Sequence, residues 1–283
     1  MTREQWLKKR GERIGGSNIS TILGLNPYQS PYDLWLRLTK REQPPVENNN
    51  MIAGRFLEHA VANWFDYVTP HHVVKASAGN LLFKHPDYDF LVASPDRKVF
   101  LNGSRKKVDT ALMEIKTTGM NVDPDEVPFY WFLQPTYYCG MLGYEKFIVL
   151  WYDRHRNNID YKLYDFDKSI YDTLIEQAVH FWNEYIVKDT PPPAINSSDI
   201  EKLYPQSKED KSLIATDDIL DIYSSAINAH RLKNKYYQEY RELSDKIKVI
   251  MKDAETLYSP NMERLFTYKT DKNDKRRFKI FEI

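Results

Sequence analysis

At 283 residues, 42% of them apolar, with 20 Tyr, 13 Phe and 6 Trp, the chain can bury a large aromatic core and is too apolar to be disordered. Forty basic and forty acidic residues cancel, which argues against a protein that coats nucleic acid through bulk charge and leaves local placement to decide. No apolar run reaches the ~18 residues of a membrane span, and the single cysteine, Cys139, excludes an internal disulfide and any cysteine-built zinc or iron–sulfur site.

The charged start MTREQWLKKRGER does not read as a secretory signal, so the expected setting is cytoplasmic, without a membrane. Residues 2–13 are predicted helical. Gly15-Gly16 forms a turn running into an N-cap at Ser17, and Ile19, Ile22 and Leu23 give the next helix its apolar stripe. NPYQSP (26–31) is a turn, YDLWLRL a short amphipathic helix, and REQPPVENNN a polar loop. A helix is predicted over 51–68, with Phe56, Ala60, Val61 and Trp64 on its apolar face.

The period then changes to two. GNLLFKHPDYDFLVASPDRKVF and KKVDTALMEIKTT read as strands around a turn at Asn102-Gly103. The aromatic stretch 127–143 is helical, capped by Gly143 and kinked or interrupted by Pro135. KFIVLWYD and IDYKLYDFD form a second hairpin, and 168–187 is a helix. This order predicts an α/β fold, a mixed sheet flanked by helices, in a domain over residues 1–190. Residues 191–283 are an extension: a linker, a long charged helix over 216–257 and a terminal β-hairpin, packing on the core or on a partner.

Three pieces carry chemistry. In ALMEIKTTG (111–119) alternation puts Glu114 and Lys116 on one strand face. Asp96 follows an apolar strand, where Pro95 stops regular pairing. Glu58 projects from the preceding helix. Neighbouring strands lie about 4.8 Å apart, so carboxylates from both can reach one ion. Mg²⁺ takes hard oxygen ligands at about 2.1 Å and keeps sites for water and phosphate. Asp96 and Glu114 suit it, and the backbone carbonyl of Ile115 adds a third oxygen. Lys116 would then manage the attacking water or the attacked phosphate. Singly, each piece is an ordinary surface feature; the ordered set is not.

That set, Asp-x(n)-Glu-x-Lys on a hairpin behind a helical Glu, resembles the PD-(D/E)XK nuclease superfamily. RIGGSNISTILGLNPYQSPYDLWLRLTK, GRFLEHAVANWF, ASPD, LMEIKTT and FLQPTYYCGMLGYEKFIVLWYD resemble the YqaJ-like viral recombinase group, related to bacteriophage lambda exonuclease, over roughly residues 5–187. The resemblance implies a restriction-endonuclease-like core and a Mg²⁺-dependent 5′-to-3′ exonuclease, with Mn²⁺ substituting and one or two ions bound. Its substrate would be linear double-stranded DNA ends, and it would leave 3′ single strands for phage-type recombination. It further implies Asp96, Glu114 and Lys116 as the catalytic trio, Glu58 assisting and Gln134 completing the site. A homo-oligomer, a trimeric ring, and a single-strand annealing partner are implied as well. Thr136 stands where relatives carry the second Gln of Gln-x-Gln. The alternatives are a RecB-like repair nuclease without an iron–sulfur cluster, or an inactive DNA-end-binding scaffold.

Ser17 and the N–H groups at a helix start can hold an anion, with Arg10 or Arg13 adding a bidentate grip. By resemblance the anion is the 5′-phosphate; the alternative is an N-cap beside two surface arginines. Arg10 matches the family position better. His71 and His72 read as surface histidines, since consecutive extended side chains point apart. His59 reads as packing or solvated, and Tyr130, Trp131, Tyr137 and Tyr138 as core aromatics with an option to stack on DNA.

Overall fold

The computed structural model describes residues 5, 10–43, 46–76, 82–209 and 211–282. The helix expected over 2–13 falls largely outside these residues, as do Pro44-Pro45 of the polar loop and most of the stretch preceding Leu82. Two compact units make up the chain, Met1–Gln206 and Ser207–Ile283.

The first unit opens with strand β1 (Ile14–Gly15), helices α1 (Gly16–Ile22), α2 (Pro31–Leu38) and α3 (Asn49–Val68), and strand β2 (His72–Lys75). Strands β3 (Phe83–Lys84), β4 (Leu91–Ala93), β5 (Arg97–Phe100) and β6 (Thr110–Thr118) follow. Helix α4 (Phe129–Leu142), strands β7 (Lys146–Asp153) and β8 (Asn158–Asp165), and helices α5 (Lys168–Phe181) and α6 (Ser197–Leu203) complete it. A π-helical turn, Trp182–Val187, extends α5.

The main sheet has the order β2-β5-β6-β7-β8. All its pairs are antiparallel except β6–β7, which runs parallel with Glu114 opposite Val149. A parallel pair needs a crossover, and α4 supplies it. Leu112, Phe147, Val149 and Trp151 face one core with α1, α2, α4 and α5. Ala111, Met113, Ile148 and Leu150 face a second core with Val61 and Phe65 of α3. The central strands are therefore apolar on both faces.

Caps explain most boundaries. Ser30 accepts from the Asp33 N–H while the Asp33 carboxylate accepts from the Ser30 N–H, and Pro31 takes the first helical position. Asn48 caps α3 two residues ahead of the expected start. Asn102 and Gly103 both have positive φ, 51° and 69°, so the expected turn is present, inside a short 3₁₀ segment Leu101–Gly103 and followed by a second one, Lys107–Asp109.

Four expectations are corrected. Gly15-Gly16 is not a turn: Ile14 and Gly15 pair in parallel with Leu91 and Val92. Gly15, not Ser17, is the N-cap of α1. Pro135 does not interrupt α4, which continues from Phe129 to Leu142; the proline is buried there, and Thr136 Oγ1 donates to the Phe132 carbonyl at 2.9 Å. The inner face of α3 is one residue off: Leu57, Val61 and Phe65 pack inward, whereas Phe56 is 73% exposed.

The break in pairing expected at Pro95 separates strands that belong to two different sheets. β4 belongs to a small sheet ordered β1-β4-β3, and β5 belongs to the main sheet. Ser94-Pro95-Asp96 joins them, with Pro95 unable to donate to either ladder.

The segment 189–199 is anchored to the first unit. Ser30 Oγ donates to Asp199 Oδ1 at 2.6 Å, and the Ile195 N–H donates to Asp199 Oδ2 at 3.0 Å. The compact unit thus reaches Gln206, beyond the expected boundary at residue 190.

The second unit contains helix α7 (Asp217–Met251) and a sheet ordered β11-β10-β9, from β9 (Thr256–Tyr258), β10 (Arg264–Thr270) and β11 (Arg276–Ile280). Arg276 stacks 3.8 Å over the Tyr268 ring and donates to the carbonyls of Lys252, Ala254 and Tyr268. It thereby ties the end of the helix to the sheet. Among the described residues, no helix is long and apolar enough to cross a membrane.

Candidate active site

The register of the hairpin builds the site. Arg97 pairs with Met113 and Lys98 with Leu112, so one step further along Asp96 falls opposite Glu114. The Ile115 N–H donates to Asp96 Oδ2 at 3.3 Å, closing the end of the ladder with a carboxylate. Glu114 and Lys116 alternate onto the face of Leu112, under α4. There Lys116 Nζ lies 2.7 Å from Glu114 Oε1. Gln134 from α4 bridges the two, accepting from Lys116 at 3.3 Å and donating to Glu114 Oε2 at 2.8 Å.

The site disturbs the titration of Asp96. Burial pushes its carboxyl well above the usual range, and the charges of Glu114 and Glu58 push the same way. The Lys116 ammonium and the Ile115 N–H oppose them. Each neighbour of Asp96 has a cation of its own. Glu114 has Lys116, and Glu58 Oε1 lies 2.7 Å from Arg97 Nη1. Among the described residues, Asp96 has none in direct contact. A divalent cation at this point would relieve the repulsion. The donors are hard oxygens, the kind Mg²⁺ prefers. Among the described residues no three His, Cys, Asp or Glu side chains form a ready-made cage. A cation here would therefore depend on water and substrate oxygens to fill its shell, as Mg²⁺ sites commonly do.

A cleft of about 940 Å³ reaches the site at Lys116 and Gln134 and is lined further by Ser17, Arg37, Tyr130 and Arg154 among others; Asp96 and Glu114 lie outside its lining. Gly16 lets α1 reach this place. A Cβ at that position would stand 2.6 Å from the Tyr138 ring and 3.0 Å from Gln134 Cγ. Arg10 Nη2 donates to Ser17 Oγ at 2.9 Å, bringing together two of the three residues expected to hold an anion. Arg13 turns elsewhere, its Nε donating to the Asp89 carbonyl at 3.2 Å. Arg37, unmarked in the sequence, lines the cleft, and burial together with the charge of Arg10 lowers its pKa.

The other singled-out residues divide. His71 is half-buried: its ring stacks on Phe65 and Nδ1 accepts from the Asn102 N–H at 3.0 Å, and burial lowers its pKa. His72 is exposed and pairs with Asp66 at 3.1 Å. His59 is exposed and meets Asn63 at 3.4 Å. Tyr137 and Tyr138 are core, and Tyr130 and Trp131 pack on the core while lining the cleft. Cys139 is buried, and burial pushes its thiol up.

The parallel step within an otherwise antiparallel sheet, the crossover helix over it and the acidic hairpin end define a fold of the lambda-exonuclease type. Two solved structures share it. An alkaline exonuclease from Laribacter hongkongensis, LHK-Exo, superposes with a TM-score of 0.50 at 17% identity, over 65% of this chain and 93% of that one. LHK-Exo in complex with dAMP gives 0.51 at 18% identity over the same shares. In sequence, residues 5–144 match the model of the YqaJ-like viral recombinase domain. The YqaJ protein of Bacillus subtilis strain 168 is 30% identical over 270 residues, covering 90% of this chain and 80% of that protein. The chain belongs to the YqaJ-like family.

Proposed function

We propose that the protein is a Mg²⁺-dependent exonuclease. It digests one strand of linear duplex DNA from the 5′ end and leaves 3′ single strands for phage-type recombination. One observation carries the reading: Asp96 and Glu114 meet across a hairpin end, with the Lys116 ammonium 2.7 Å from Glu114. The structural similarity to LHK-Exo, an alkaline exonuclease also seen in complex with dAMP, supports the same class.

Asp96, Glu114 and the Ile115 carbonyl would hold the cation, and Mn²⁺ is expected to substitute. When bound, the cation would make water more acidic and offset charge on the phosphoryl oxygens. The protein's own contribution is order. Gln134 fixes Glu114 and Lys116 relative to each other, so their donors and acceptors are aimed before substrate arrives. Lys116 then offers N–H donors to the attacking water or to a non-bridging phosphate oxygen during in-line displacement. Ser17, which lines the cleft, and Arg10, which donates to it, would grip the phosphate left at the new 5′ end. The ring-shaped trimer and an annealing partner belong to the same proposal, as does a cytoplasmic setting.

The test is linear duplex DNA carrying a 5′-phosphate and a label at either end. The reading expects progressive loss of 5′ nucleotides that requires Mg²⁺ or Mn²⁺. Asp96→Ala should slow digestion about a thousandfold, equivalent to about 4 kcal/mol, while DNA binding persists. An Asp96→Ala protein as fast as wild type removes the site assignment. Nicking of closed circles would favour the RecB-like alternative, and DNA-end binding without cleavage the scaffold.

A further inference from the structure

Arg97 stands next to Asp96 in sequence but points to the opposite face of the sheet, its partner in the ladder being Met113. Its side chain is only 11% exposed. One nitrogen, Nη1, makes two contacts: 2.7 Å to Glu58 Oε1 and 2.8 Å to the Asp96 carbonyl. A guanidinium held so closely by a carboxylate and a carbonyl is not a surface cation. Its removal would leave Glu58 uncompensated beside the acidic cluster.

The charges around the candidate cation seat then sum simply. Glu58, Asp96 and Glu114 contribute three negative charges, and Lys116 and Arg97 two positive ones. Without Arg97 the same seat would carry one more net negative charge and a free third carboxylate. Resting on the metal-site reading above, we propose that Arg97 is a positioning residue that withholds Glu58 from the cation. It leaves Asp96 and Glu114 as the only carboxylate ligands in the DNA-free protein. The consequence is a deliberately weak resting site, which gains its full affinity only when phosphate oxygens of DNA complete the shell. Cation uptake and DNA-end binding are thereby coupled.

The proposal gives Glu58 a different part from a direct ligand, and the two are separable by Mn²⁺ titration of full-length protein without DNA, followed by calorimetry or by the spin-resonance signal of free Mn²⁺. Arg97→Gln is expected to bind Mn²⁺ at least about tenfold more tightly than wild type, because one repelling charge is gone and Glu58 is released. Arg97→Lys is expected to stay near wild type. The double variant Glu58→Gln/Arg97→Gln replaces an ion pair by an amide pair of similar shape, and this spares the stability that the single change costs by leaving Glu58 unpaired. Its Mn²⁺ affinity is expected to match wild type within about threefold. Equal or weaker binding by folded Arg97→Gln overturns the proposal, and so does a tenfold loss in the double variant, which would make Glu58 a ligand. Wild-type protein that binds no Mn²⁺ overturns the metal reading itself and the proposal with it. Thermal unfolding of each variant reports folding separately from affinity.

Discussion

The residues of the candidate site are close enough for their roles to be tested one at a time. Lys116 touches Glu114 and Gln134 but lies outside the proposed ligand set. Lys116→Met is therefore expected to lower kcat about a hundredfold or more while Mn²⁺ binding survives; loss of both together would make it a structural brace. Asp96 makes a stability prediction whose sign follows from its raised pKa. A folded carboxyl that titrates above its unfolded value carries no penalty below the unfolded pKa. It destabilises increasingly as pH climbs through the folded pKa. Asp96→Asn should therefore raise the Tm of metal-free protein at pH 8, by about 2–4 °C per kcal/mol of relieved repulsion. The gain should vanish below about pH 4; a lower Tm at pH 8 would contradict the repulsion. Asp96, Glu114, Lys116 and Gln134 were legible in the sequence because they recur in a fixed order. Arg37 and Arg97 were not, since a single arginine on a helix or strand carries no sign of which side chains will surround it.

Helices and strands set how precisely these residues meet. Gly16 is one such tight point, with space for no Cβ between α1 and Tyr138 of α4. Gly16→Ala is expected to cost about 1–3 kcal/mol of stability by urea unfolding. It should also slow digestion by displacing Gln134, and a neutral result on both would disprove the close approach. Period-two patterns gave β5 to β8 their place, and the positive φ of Asn102 and Gly103 matches the turn residues there. The sequence could not show that β6 and β7 pair in parallel, because strand partners are chosen by tertiary packing. Pro95 marked the break in pairing, but the sequence could not show that the strands on its two sides join different sheets. The face of α3 was read one position off because Phe56, a large apolar residue, lies outside while Leu57 lies inside.

At the level of the whole chain, the two units suggest where it can be cut. Asp199 is buried against Ser30, so a cut before residue 199 should destabilise the first unit by about 1–3 kcal/mol through the orphaned partner. A chain ending at Gln206 keeps that pair and is expected to unfold near the Tm of the full protein and to retain digestion. Loss of digestion with the Tm intact would place the extension in the reaction. The account as a whole stands on one cation between Asp96 and Glu114. Crystals soaked in Mn²⁺ and measured at the manganese absorption edge test it most directly. An anomalous peak within about 2.5 Å of both carboxylates and of the Ile115 carbonyl is the predicted result; a soaked crystal with no peak there, or one whose only peak lies elsewhere, would contradict it.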